Sequence, residues 1–200
     1  ETDYSYDAIA IKNFVATEDD KKTETSDEVP EYLSTYVAPT ELGTDPLSYN
    51  IEIENQVYTL PAPVSAFTDN GWKIASQEDS VPSGQSLSYA IKLQKDGKEI
   101  EASVTNFADY QTKPENCAIS SLHFYADESK NPEVKLPGGI TIKSTSDDLK
   151  KWAGDKFDYS KSGDSEYYDY YDDDNEGSIY INCKKTVSSM SVKKETWPSK

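Results

Sequence analysis

The chain has 200 residues, with 20 Lys and Arg against 37 Asp and Glu, and a formal charge of −17. Such a chain is repelled by phosphate backbones and anionic lipid heads, which argues against nucleic acid and against direct membrane-surface binding. Only 35% of the residues are hydrophobic, and no run reaches the roughly 20 apolar residues that span a bilayer. Fifteen Tyr and three Trp supply large apolar areas, so a thin core spread over sheet faces is within reach.

Opening at Glu1 without Met, the chain reads as a mature or trimmed form. Residues 3–15 contain a short alternating stretch that predicts an edge strand. Residues 16–31 carry almost no large apolar side chain and read as a solvated, flexible segment. Residues 1–47 are therefore expected to be a strand-like segment followed by a flexible acidic tether, with order beginning near Ser48. Residues 51–60 predict a strand, an Asn55-Gln56 turn and a second strand. Pro63 and Gly71 then bracket a helix of about two turns, with Val64 and Phe67 on one side.

A similar passage follows later. Ile140 and Ile142 alternate as in a strand, Thr145 to Asp148 form a capping-box-like start, and Gly154 stops a helix carrying Leu149 and Trp152. Val57, Val64, Phe67 and Trp72 fall on Ile142, Leu149, Trp152 and Phe157. Residues 119–124 (ISSLHF) also match residues 187–192 (VSSMSV). Strands are expected at 86–95, 98–107 and 117–126, then at 157–161, 166–172, 177–183 and 187–194. The expected fold is α+β, two tandem repeats over 48–135 and 136–200, each a short helix packed on an antiparallel sheet of three to four strands. The two sheets are free to join into one curved surface.

The pattern of strand, acid-rich helix start, short helix, Gly and several strands resembles the repeat of the β-lactamase-inhibitor-protein-like fold, shared in outline with the BamE outer-membrane lipoproteins. Residues 57–61 (VYTLP) followed by Asn70-Gly71-Trp72 also look like a domain of uncharacterised lipoproteins of Gram-positive gut bacteria. The resemblance covers about residues 48–195. It implies an exported bacterial protein at the cell surface, tethered through an upstream lipid-modified Cys that this chain lacks. It further implies protein contact or envelope scaffolding, with neither catalysis nor a cofactor.

Catalytic chemistry finds little footing in the residues themselves. The single His, His123, lies in an alternating strand, and no Ser stands in a G-x-S-x-G or Ser-x-x-Lys setting. A nucleophile without a base has no mechanism. Carboxylate pairs are everywhere, so nothing singles out one for glycoside hydrolysis.

Three features merit placement. Residues 172–177 (DDDNEG) resemble half of a calcium loop, with Asp172, Asp174 and Glu176 as ligands, although Cys183 stands where a bidentate Glu is needed. Cys117 and Cys183 could form one disulfide or remain two buried thiols. Tyr167, Tyr168, Asp169, Tyr170 and Tyr171 form a strip suited to a protein or glycan partner. On a strand, Tyr168 and Tyr170 share one face while Tyr167, Asp169 and Tyr171 share the other.

Overall fold

The computed structural model describes residues 24–198, so the edge strand expected at 3–15 lies outside the described residues. The order begins with β1 (Asn50–Ile53), β2 (Gln56–Thr59), β3 (Ala62–Pro63) and α1 (Val64–Thr68). It continues with β4 (Lys73–Gln77), β5 (Ser86–Lys95), β6 (Lys98–Thr105), β7 (Ala118–Tyr125) and β8 (Val134–Lys135). It ends with α2 (Ser146–Ala153), β9 (Asp158–Ser162), β10 (Ser165–Tyr171), β11 (Gly177–Cys183) and β12 (Val187–Lys194).

This is a mostly-β protein, 44% strand and 14% helix, which overturns the expected α+β fold with a helix and a sheet in each repeat. One antiparallel sheet runs β4-β5-β6-β7-β12-β11-β10-β9, with β3 also paired to β7 as a ninth strand. A second sheet has the order β2-β1-β8.

Among the described residues only α2 has the length of a true helix. Thr145 Oγ1 accepts the Asp148 N–H at 3.3 Å, and Asp148 Oδ2 accepts the Thr145 N–H at 2.8 Å. That capping box satisfies two donors that a helix start otherwise leaves bare. By contrast α1 is five residues long and no side chain caps it. The residues ahead of it are spent in β3, which pairs with β7. Ile140 and Ile142 do not form a strand. Pro137-Gly138-Gly139 folds into a 3-10 turn, and Ile140 makes only an isolated bridge to Leu136. The superposition of Val57 on Ile142 thus matches a strand residue with a turn residue.

The meander strands follow local rules more closely. The β1–β2 turn falls at Glu54-Asn55, one residue earlier than expected. Both residues have positive φ, 51° and 64°, as a tight hairpin turn requires. Asp96-Gly97 does the same between β5 and β6.

The core is one continuous cluster. Ile91, Leu93, Ile100, Leu122, Met190, Val192, Ile179, Ile181 and Tyr168 point inward from the large sheet. Ile51, Ile53 and Tyr58 of the small sheet, Phe67 of α1 and Leu149 of α2 close over them. Tyr58 stacks on Phe67 with ring centroids 4.0 Å apart. The tether expectation fails for residues 24–47, which lie against the body. Ser26 bridges to Thr112, Leu33 is buried, and the Tyr32 ring packs on Phe107 at 5.7 Å and on Trp197 at 4.9 Å.

The small sheet, α1 and α2 pack against the side of the large sheet that carries the buried residues. At the β6–β7 end Thr105 and Ala118, which point to the other side, are buried, while on β10 and β11 the alternate side chains turn that way. That leaves an open face whose side chains alternate with the buried set.

Candidate binding face

Strand register defines the open face residue by residue. Asp158 of β9 stands opposite Asp169 of β10, Asp169 opposite Tyr180 of β11, Tyr180 opposite Ser191 of β12, and Ser191 opposite His123 of β7. A parallel row runs through Ser160, Tyr167, Asn182, Ser189 and Tyr125.

The five-residue strip on β10 is split by its own alternation. Tyr168 is 2% exposed and belongs to the core. Its hydroxyl donates to Glu166 Oε2 at 3.2 Å. Tyr170 is half-buried against the same core, with its ring 5.8 Å from Phe157. Tyr167, Asp169 and Tyr171 face the open side. Tyr171 is 59% exposed, and Tyr167 lies 6.3 Å from the Tyr180 ring. Two of the five candidates, Tyr168 and Tyr170, are therefore packing residues.

Asp169 is the unusual group. Burial, and then the facing Asp158 carboxylate, raise its pKa above the ordinary aspartate value. Its Oδ1 is buried with no hydrogen-bond partner among the described residues. Asn182 Oδ1 and His123 Nε2, on the same face, are also without partners. Burial pushes the His123 pKa down, so the ring is neutral at pH 7. Tyr180 is raised, first by burial and then by the Asp169 charge.

The calcium-loop reading does not survive the geometry. Asp172 Oδ2 takes the Lys194 ammonium at 2.6 Å and lies 3.4 Å from the Tyr49 hydroxyl, while Asp172 Oδ1 accepts the Gly177 N–H at 2.9 Å. Burial opposes its charge, but Lys194 and the Gly177 N–H outweigh it and hold the carboxyl below the usual range. Glu176 accepts from the Thr196 hydroxyl instead of turning toward Asp172. Among the described residues no group of three acids, Cys or His could hold a metal ion. The turn is clamped by a lysine because β12 lies beside β11 and brings Lys194 opposite Gly177.

The possible disulfide is not formed. Cys117 and Cys183 are both free and buried. Cys117 precedes β7 and donates its S–H to Lys113 O at 3.4 Å, and burial raises its pKa to about 12. Cys183 ends β11 beside Val187.

Sequence reasoning missed Tyr180, Tyr125 and Tyr89 as face residues. The signal for Tyr180 was present: Ile179, Ile181 and Cys183 alternate inward, so Ser178, Tyr180 and Asn182 must point outward. Tyr89 had no such signal, because it sits at a register shift in β5 with φ of 51°.

A scan of family models, a search of curated proteins and a search of solved structures each find no match to this chain.

Proposed function

We propose that the chain is a non-enzymatic extracellular interaction or scaffolding module, held at a bacterial cell surface through a lipid anchor outside this chain. Its open sheet face binds a basic protein partner around Tyr167, Asp169, Tyr171 and Tyr180. The observation that carries this reading is the Asp169 carboxyl. Its Oδ1 is buried without a donor among the described residues, and it faces Asp158 beside the tyrosines on the side of β10 turned away from the core. A cationic side chain delivered by a partner would offset the charge of the facing Asp158–Asp169 pair. Tyrosine adds contact area with few torsions to freeze.

A glycan platform would place Trp beside Tyr in a row. Here Trp72 is buried, Trp152 donates its N–H to Pro137 O and Trp197 packs on Tyr32, and none of the three stands on the strands β9 to β12 that carry the tyrosine rows. A protein partner is the better reading.

The test is affinity capture from surface extract with the wild type and a Tyr167→Ser/Tyr171→Ser double variant. The expected result is a basic partner retained at low salt, released as salt rises, and lost with the double variant while its melting stays close to wild type. Undiminished capture by the double variant would remove the proposal.

A further inference from the structure

A second acidic patch lies on the same face, in the other half of the sheet. A cavity of about 410 Å³ opens between β5, β6, β7 and the 126–131 loop. Its walls include Tyr89, Glu101, His123, Tyr125, Asp127 and Glu128. The Tyr89 and Tyr125 rings are 57% and 44% exposed, and the His123 ring lies 4.4 Å from Tyr125.

The charges in the cavity are unevenly satisfied. Glu101 is paired with Lys92 at 2.7 Å, and Glu99 with Lys130 at 2.6 Å. No described residue pairs with the carboxylates of Asp127 and Glu128. Glu128 is raised by burial and by the neighbouring Glu101 and Asp127 charges. His123, neutral and with a buried, unpartnered Nε2, adds no positive charge.

We propose that this cavity is a docking pocket for an arginine side chain of a protein partner. The guanidinium is flat, permanently charged and weakly hydrated, so it stacks on a tyrosine face while its N–H groups reach carboxylates. The pocket offers both, with two aromatic rings exposed at its wall and two carboxylates lacking counter-ions. The inference rests on the reading of the open face as a protein-binding surface and adds a second anchor to it. His123 is three strands from Asp169 along one row, or roughly 14 Å at the usual strand spacing. A partner that uses both anchors presents two cations at about that separation.

His123 is the only histidine in the chain, so its ring protons give one unambiguous NMR reporter at the pocket wall. The probe is acetyl-Gly-Arg-Gly-amide, titrated into the full chain, with the neutral citrulline peptide as control. The expected result is a saturable shift of the His123 resonances with the arginine peptide and none with citrulline. An Asp127→Asn/Glu128→Gln variant, changed only at exposed turn positions, should weaken the probe by on the order of fivefold or more. The Tyr167→Ser/Tyr171→Ser variant should bind the probe as wild type does, so failure of the pocket and failure of the β10 face give different results. No shift, an equal shift with citrulline, or unchanged affinity in the carboxamide variant would each overturn the proposal.

Discussion

Glu166 and Asp169 lie on the same short strand, yet their carboxyl groups meet opposite surroundings. Glu166 faces the covered side and is 7% exposed. It accepts from the Ser146 hydroxyl at the start of α2 and from Tyr168, and it meets Lys161 at 3.3 Å and Lys150 at 3.6 Å. The Ser146 hydrogen bond first, then Lys161, Tyr168 and Lys150, outweigh burial and draw its pKa down to about 2. Asp169 faces the open side, meets another carboxylate and is pushed up. The period-two alternation of the strand thus sorts acids into those that hold the fold together and those left unsatisfied. Total acidity does not separate them; the facing partner does.

The sharpest way to break this contrast is to empty the covered side of β10. Tyr168→Ala removes a fully buried ring and should destabilise the protein by about 3 kcal/mol in denaturant unfolding. A loss below about 1 kcal/mol would mean that the covered side of β10 is not core.

Glu166→Gln comes next and tests the charge itself. With its folded-state pKa depressed, Glu166 contributes stability that is fully present above its ordinary value near 4.5 and is lost as pH falls toward about 2. The variant should therefore melt lower than wild type at pH 7, and the gap should close on acidification. A gap that stays constant between pH 7 and 3 would contradict the assignment.

Asp169→Asn gives the smallest effect and the opposite sign. A carboxyl raised in the folded state favours the fold in acid, below its ordinary value near 3.8, and that advantage is lost as pH rises through the raised value. Removing one of two facing like charges should stabilise the protein at pH 7 by roughly 0.2–1 kcal/mol. The same change should weaken partner capture, which separates the cost of the charge from its use.

Much of the strand pattern was legible. The expected ranges of β5, β11 and β12 agree with the structure to the residue, because alternation, strict in β11 and partial in β5 and β12, and Asn/Gly/Asp turns are local signals. The cap of α2 was legible for the same reason. The weight given to helices was not warranted: apolar spacing of three at Val64 and Phe67 is satisfied by a single turn. β4 was missed because its sequence, KIASQ, has one large apolar residue and a register shift beside β5. At the face, the split of the Tyr strip was readable. The Asp158–Asp169 opposition required the β9–β10 register, which the Gly163 turn sets and composition does not. Lys194 reaching Asp172 likewise depends on which strand lies next to β11, and no local pattern encodes that.

The pairing of β7 with β12 has a consequence for how the chain reaches its native form. β3 covers one edge of β7 only at Ala118 and Ile119, and the rest of that edge, Ser121 to Tyr125, waits for Ser189–Lys193 near the end of the chain. Until Ser189–Lys193 have been synthesised, a nascent chain holds a strand edge with Leu122 and Phe124 beside it. That is the kind of surface that recruits chaperones or other copies of itself. Closure of the sheet is therefore a late, long-range event, and a chain ending before Val187 would be an aggregating fragment.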